Sequence, residues 1–273
     1  MSVTETIGTA LITGASGGIG AIYADRLAKR GYDLILVARN KNRLGVLAER
    51  LKDETGRSVE TISADLNDKT DLARIETTLR TNASIALLLN NEGVGATAPL
   101  LDSDIEKMDE MIQLNVRALT RLTYAAAPGF VARGGGVIIN IASSVAISPE
   151  KLNGVYGASK AFVLALSQSL DHELTATDVR VQVVMPGATA TTFWDIAGQP
   201  VRNLPTEIVM SPEDTVDAAL AGLDQGEMVA IPSLPEKAEW DAFDAWRRAM
   251  SARLSRAVPA SRYKISHPQP IEA

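Results

Sequence analysis

The chain has 273 residues, 46% apolar and 22% charged, with a formal net charge of −6, no cysteine and two histidines, His172 and His267. That length suits one large α/β domain with a full core, and the acidic balance argues against nucleic acid or an anionic membrane surface as a partner. Without cysteine there are no disulfides, thiolate metal sites or cysteine nucleophiles; two histidines make a histidine-rich metal site improbable, so no metal is expected.

Residues 1–8 read as a loose leader without the pattern of a secretory signal, and the apolar runs at 85–89 and 137–141 are strand-sized, so a cytoplasmic location is expected. Residues 9–13 (TALIT) are a short buried strand running into a glycine cluster. Residues 17–30 carry helical periodicity through Ile19, Tyr23 and Leu27 and stop at Gly31. A second strand (33–39, DLILVAR), a charged helix (41–54) with Leu44, Leu47 and Leu51 on one stripe, a third strand (59–65) and a helix (68–80) follow. The strand at 85–89 ends in Asn90-Asn91-Glu92-Gly93. Residues 104–133 predict one long amphipathic helix with a bend at Pro128-Gly129. A strand (136–142, GVIINIA), a helix (153–177) and a strand (179–185, VRVQVVM) come next.

Past Pro186 the pattern changes. Residues 187–210 have no clear period, and a stretch that long is usually functional or mobile. A helix (212–224), a strand (228–232), an amphipathic helix (236–256) bearing Trp240, Phe243, Trp246 and Met250, and a tail (258–273) complete the chain. Strands alternate with helices and read as continuous apolar runs. That predicts a Rossmann-type, doubly wound parallel sheet of about seven strands with helices on both faces. No linker divides the first 187 residues, and residues 9–257 are read as one domain.

Between the first strand and first helix lies Thr13-Gly14-Ala15-Ser16-Gly17-Gly18-Ile19-Gly20. Such a loop turns tightly, lets a ligand approach the backbone and presents the helix's free N–H groups to a pyrophosphate; a plain tight turn is the other reading. The second strand ends in Val37-Ala38-Arg39-Asn40. No acid is present to hold a ribose 2′-hydroxyl, whereas Arg39 suits a 2′-phosphate, with Lys41 and Arg43 adding positive charge. This predicts NADP(H) over NAD(H), against the alternative of a solvated basic turn.

Tyr156 and Lys160 are four apart, which on a helix places both on one face. An ammonium beside a phenol favours its ionised form, which makes it usable for proton transfer nearer neutral pH. The pair read alone also fits two unrelated residues on a helix face.

In this order the motifs resemble the short-chain dehydrogenase/reductase family over roughly residues 9–232. Gly14, Gly18 and Gly20 match its Thr-Gly-x-x-x-Gly-x-Gly, and Ser143 stands thirteen residues before Tyr156, the family's spacing. The resemblance implies that Gly14, Ser16, Gly18, Ile19, Gly20, Arg39, Asn40, Asp65, Leu66, Asn91 and Gly93 hold the cofactor, with Asp65 and Leu66 toward the adenine. It implies the same for Pro186, Gly187, Thr189 and Thr191 at the nicotinamide, together with Tyr156 and Lys160. Tyr156 would give its proton to the alkoxide formed when hydride reduces a ketone, and Ser143 would donate a hydrogen bond to the same oxygen. Lys160 would lower the tyrosine pKa and hold the nicotinamide ribose, and Asn115 would anchor a water chain to it. The family also implies a homodimer or homotetramer through the helices at 104–133 and 153–177.

Glu92 departs from the resemblance, which has alanine there, on the nicotinamide side of the cofactor ribose. It is either solvated at the pocket rim, bonded to a ribose hydroxyl, in contact with substrate, or a repulsive charge near the phosphates. Glu92, Val94, Gly95, Ser143, Val145, Tyr156, Phe193 and Trp194 are the expected substrate contacts, with 187–210 as a lid over an apolar ketone or its secondary alcohol. Phe193 and Trp194 read equally well as anchors of that segment. The helix at 236–256 packs on its own domain or contacts another subunit. Two other functions fit the motifs: a 3-oxoacyl-thioester reductase of lipid metabolism, and a non-catalytic NADP(H)-binding redox sensor.

Overall fold

The computed structural model describes residues 7–265. The first six residues of the expected leader and residues 266–273 of the tail, His267 among them, lie outside the described residues.

Alternate side chains of the inner strands serve two cores. In β1 (Thr9–Thr13), Ala10 and Ile12 pack into one and Leu11 into the other; in β2 (Asp33–Ala38), Leu34 and Leu36 take the first side and Ile35 and Val37 the second. This is what a period-two strand does when both faces are covered. The first core is closed by α1 (Gly18–Lys29) and α2 (Lys41–Thr55). Beyond β3 (Val59–Ser63), the second core takes Leu72, Ile75 and Leu79 from α3 (Lys69–Thr81).

After β4 (Ile85–Asn90) the expected long helix is divided differently from the sequence reading. It runs as α4 (Ile105–Ile112), a π-helical turn over Gln113–Ala118, and α5 (Leu119–Ala132), with Pro128 inside α5. The irregularity falls at the π turn, which carries Asn115, rather than at Pro128. A π turn widens the helix locally and re-aims the side chains on it.

The chain continues through β5 (Gly136–Ile141), α6 (Gly154–Glu173) and β6 (Val179–Val184). The segment expected to lack structure contains β7 (Ala188–Thr189), a single turn α7 (Phe193–Ile196) and β8 (Val209–Met210), and β7 pairs with β8 in parallel. Then come α8 (Pro212–Asp224), whose Val216, Ala219 and Leu220 complete the first core, and β9 (Val229–Ala230).

The main sheet has seven strands in the order β3-β2-β1-β4-β5-β6-β9, every pair parallel. The fold is the doubly wound α/β sheet expected. Its order reverses between β1 and β4, so crossovers leave opposite faces there and open a crevice at the strands' C-terminal ends. Thr13-Gly14 and Asn91-Glu92 are the two lips of that crevice.

Compactness divides the described chain into a unit ending at Ser233 and a second beginning at Leu234. The second unit holds α9 (Lys237–Ser251), in which the Trp240 and Phe243 rings lie 5.3 Å apart and Trp246 is exposed. Among the described residues no helix is long and apolar enough to cross a membrane.

Candidate active site

The glycine loop is held against the end of β4. Thr13 Oγ1 accepts hydrogen bonds from the amides of Asn91 and Glu92 at 3.0 and 3.1 Å, and Asn91 Nδ2 donates to the carbonyls of Thr13 and Gly14 at 3.0 and 3.2 Å. A Cβ on Gly14, whose φ is +66°, would lie 2.7 Å from Asn91 Nδ2, so only glycine fits. Gly20 faces inward, where a Cβ would strike the Gly14 carbonyl; it packs the helix on the loop and does not line the cavity. No side chain caps the start of α1, which leaves its first N–H groups free where Ser16, Gly18 and Ile19 line the cavity. Uncapped amides at a glycine-rich helix start fit a pyrophosphate.

That cavity, of about 1480 Å³, extends to the end of β2, where exposed Arg39 and Asn40 line it; Asn40 Oδ1 also caps α2 from the Arg43 amide at 3.0 Å. Asp65 and Leu66 do not line it. Asp65 Oδ1 accepts from the Asn67 amide at 2.9 Å, which shapes the turn into α3, and Leu66 is buried in the second core.

Glu92 is not the solvated rim residue of the sequence reading. Its Oε2 is enclosed without a hydrogen-bond partner, and burial pushes the carboxyl up to about 7; Arg39 pulls the other way, Asp65 adds to the rise, and the Gly14 amide opposes it. Its charged neighbours stand at the ends of β2 and β3.

The other end of the crevice collects Ser143, Tyr156 and Lys160. Asn153 Oδ1 caps α6 by accepting from the amides of Val155 and Tyr156 at 2.9 and 3.3 Å, and Asn153 Nδ2 donates to the Ala98 carbonyl at 2.7 Å. This sets the helix one turn before Tyr156 and Lys160, both buried and both lining the cavity. Ser143 follows β5. Its Oγ makes long bonds, from the Val145 amide at 3.4 Å and to the Pro186 carbonyl at 3.5 Å, and it stands close enough to the Tyr156 phenol to act on its ionisation.

Burial dominates the electrostatics of this pair. It pushes the Tyr156 phenol up to about 12, opposed by Ser143, and pushes Lys160 down to about 8. Lys160 Nζ donates to the Ile141 carbonyl at 2.9 Å and lies 5.9 Å from the Tyr156 ring. Desolvation disfavours the charged form of each group because both are enclosed.

Asn115 ties two elements together. Its Oδ1 accepts from the Val94 amide at 3.0 Å, and its Nδ2 donates to the Val94 carbonyl at 2.8 Å and to Ser159 Oγ at 3.1 Å. The side chain clamps the loop after β4 to the π turn and to α6, and Oδ1 keeps a second lone pair. Gly93 is needed beside it, since a Cβ there would lie 3.0 Å from Asn115 Oδ1 and 3.4 Å from Lys160 Nζ.

At and after Pro186, the residues Pro186, Gly187 and Thr189 line the cavity, and Thr191 reaches the glycine loop, where a Cβ on Gly18 would lie 3.1 Å from its Cγ2. Phe193 and Trp194 both line the cavity. Trp194 is buried and its Nε1 donates to the Thr189 carbonyl at 3.0 Å, so it anchors the segment. Phe193 stands beside Tyr156. Val145 also lines the cavity, whereas Val94 and Gly95 do not: Val94 packs with Met108, Met111 and Tyr156, and Gly95 underlies the Phe193 ring. Sequence reasoning missed Lys151, Gln199, Leu204, Met210 and Ser233 as lining residues. The aperiodic stretch 187–210 signalled three of them collectively; Lys151 and Ser233 sit in short turns with no distinguishing pattern.

The short chain dehydrogenase family matches residues 8–199. A short-chain dehydrogenase from Sphingobium yanoikuyae, solved in complex with NADPH, is 48% identical, with a TM-score of 0.91 over 94% of this chain and 100% of that one. The bulky-bulky ketone specific alcohol dehydrogenase from Comamonas testosteroni is 43% identical, with a TM-score of 0.87 over 95% and 99% of the two chains. A very-long-chain 3-oxoacyl-CoA reductase from Anas platyrhynchos is 36% identical over 216 residues, 77% of this chain and 67% of its own. With the family matched over most of its length and these relatives alike over most of theirs, the chain belongs to the short chain dehydrogenase family.

Proposed function

We propose that this chain is an NADP(H)-dependent reductase of ketones with two large substituents, acting reversibly on the matching secondary alcohols. The observation that carries the reading is the meeting of Ser143, Tyr156 and Phe193 in a cavity of about 1480 Å³ that also reaches Arg39. Ligand pockets commonly run from about 300 to 1,000 Å³, so this one leaves room for a large substrate beside a dinucleotide. The likeness to the Comamonas enzyme supports the same substrate class.

The glycine loop and the start of α1 would hold the pyrophosphate, Arg39 the 2′-phosphate, and Thr189 and Thr191 the nicotinamide amide. When bound, the cofactor supplies the hydride. Ser143 donates a hydrogen bond to the ketone oxygen and orients it. Tyr156, held protonated at neutral pH by burial, gives its proton to that oxygen as it gains charge. Lys160 fixes the cofactor ribose beside the phenol. Asn115 positions rather than reacts, by tying the loop after β4 to the π turn. The segment 187–210 acts as a lid, anchored by Trp194, with Phe193 as its substrate-facing residue.

A panel of aryl-alkyl ketones, diaryl ketones, diketones and 3-oxoacyl thioesters, followed by NADPH oxidation, tests this. Turnover that rises with bulk on both sides of the carbonyl supports it. Turnover of the thioesters alone would establish the second reading, which the 3-oxoacyl-CoA reductase likeness favours. Tight NADPH binding without turnover of any carbonyl would point to a sensor. Exposed Ile105, Ile112, Tyr124, Val131 and Phe162 on α4, α5 and α6 support a dimer or tetramer through these helices, readable by light scattering.

A further inference from the structure

One buried group has no task in the reaction above. Glu92 Oε2 is enclosed and makes no hydrogen bond. A buried acceptor left unpaired is costly, so such atoms usually meet water or a ligand. The Glu92 backbone is pinned, because its amide and that of Asn91 both donate to Thr13 Oγ1, and Gly14 lies so close that a Cβ there would sit 2.9 Å from Glu92 Cα. Glu92 thus stays at the C-terminal lip of β4 and lines the cavity with Arg39.

The charged groups around it come from each neighbouring element. Arg39, at the end of β2, attracts it; Asp65, at the end of β3, repels it; from β1 and the glycine loop it meets the Gly14 amide. Arg43, from the first turn of α2, lines the same cavity. Two cations and a buried acid facing one crevice form a charge pattern that discriminates between a phosphorylated and an unphosphorylated ribose. A neutral carboxyl can hydrogen-bond a ribose hydroxyl or a phosphate oxygen. An ionised one accepts only from hydroxyls and repels a phosphate.

We propose that Glu92 is a second cofactor-specificity residue, set across the adenosine end from Arg39, whose carboxyl binds the adenosine ribose edge and makes the preference for a 2′-phosphate fall as pH rises. The proposal rests on the reading that this crevice takes a nicotinamide dinucleotide. Burial places the change of charge near neutral pH, since the carboxyl is pushed up to about 7. Below that value the site is open to both dinucleotides and Arg39 decides for the phosphorylated one. Above it Glu92 opposes Arg39.

The test is direct binding to the cofactor-free protein. Dissociation constants for NADPH and NADH are measured by calorimetry from pH 6 to 8, in the wild type, Glu92→Gln and Glu92→Ala. The 2′-phosphate has its own ionisation near pH 6, as phosphate esters do. It contributes equally in all three proteins, so the difference between them isolates Glu92. The expected result is that the NADPH/NADH ratio of dissociation constants rises across this range roughly tenfold more in the wild type than in either variant. The same slope in all three proteins would overturn the role of Glu92 while leaving the crevice a cofactor site. Wild type that binds neither dinucleotide would overturn both. Thermal melts of the variants at pH 6 show whether each is folded, and two substitutions of different size guard against a packing artefact in one.

Discussion

The ring of Phe193 lies 5.6 Å from that of Tyr156, centroid to centroid and tilted by 44°, in space that Gly95 leaves open. A Cβ on Gly95 would be driven into the Phe193 ring. A glycine of the loop after β4 therefore decides where Phe193 can stand. Gly95→Ala is expected to push Phe193 toward Tyr156 and to destabilise the fold by about 1–3 kcal/mol, as overpacking does. Steady-state kinetics should show KM for the bulkiest ketones rising more than for small ones. An unchanged ratio would mean that Phe193 does not bound the substrate space.

Phe193→Ala is the complementary change. It removes the ring while Trp194, bonded to the Thr189 carbonyl, still anchors the segment. Tolerance of larger substituents should increase, with cofactor affinity unchanged, and a substrate panel reads this directly.

Tyr156→Phe keeps the ring, its packing with Phe193 and its burial, and removes only the hydroxyl that meets Ser143. Turnover should fall by about a hundredfold or more, the usual size of a general acid's contribution. NADPH binding by calorimetry should persist. Turnover near the wild-type value in a folded Tyr156→Phe would falsify the proton-donor assignment.

Arg39 is exposed at the end of β2 and lines the cavity. Arg39→Asp replaces a phosphate-binding cation by an anion that suits a 2′-hydroxyl. The ratio of kcat/KM for NADPH over NADH should drop by roughly tenfold or more, with the melting temperature little changed.

Glu92 also links stability to pH. Its folded pKa lies near 7, above the ordinary 4.5, so the folded state binds the proton more tightly than the unfolded chain. Its contribution is fully favourable below about pH 4.5 and is lost as pH rises through 7. Cofactor-free Glu92→Gln should therefore gain stability relative to the wild type between these values, by at most about 3 kcal/mol, in urea melts at pH 5 and 8. Equal gains at both pH values would mean that the carboxyl is not desolvated.

Much of this protein was legible in its sequence because the signals are local. Continuous apolar runs such as 33–39 and 136–142 become parallel strands because a strand covered on both faces must be apolar on both. The glycines at 14, 18 and 20 mark the phosphate loop because a backbone that turns with positive φ, or passes within contact of another, excludes a side chain. The order of strands and helices then carries Arg39, Glu92, Ser143 and Tyr156 to the same edge of one sheet.

What only the tertiary structure decided depends on groups far apart in the chain. The π turn at Asn115 coincides with hydrogen bonds to Val94, a partner in another loop, which no helical period announces. The contacts of Phe193 and Trp194 depend on Gly95 and Thr189, not on the pair itself. The charge states differ most from the sequence reading. Four-residue spacing puts Lys160 beside Tyr156, but enclosure of both raises one pKa and lowers the other. Glu92 reads as a surface acid until Gly14, Arg39 and Asp65 are seen around it. Spacing along a chain sets which groups can meet; the water excluded around them sets how they ionise.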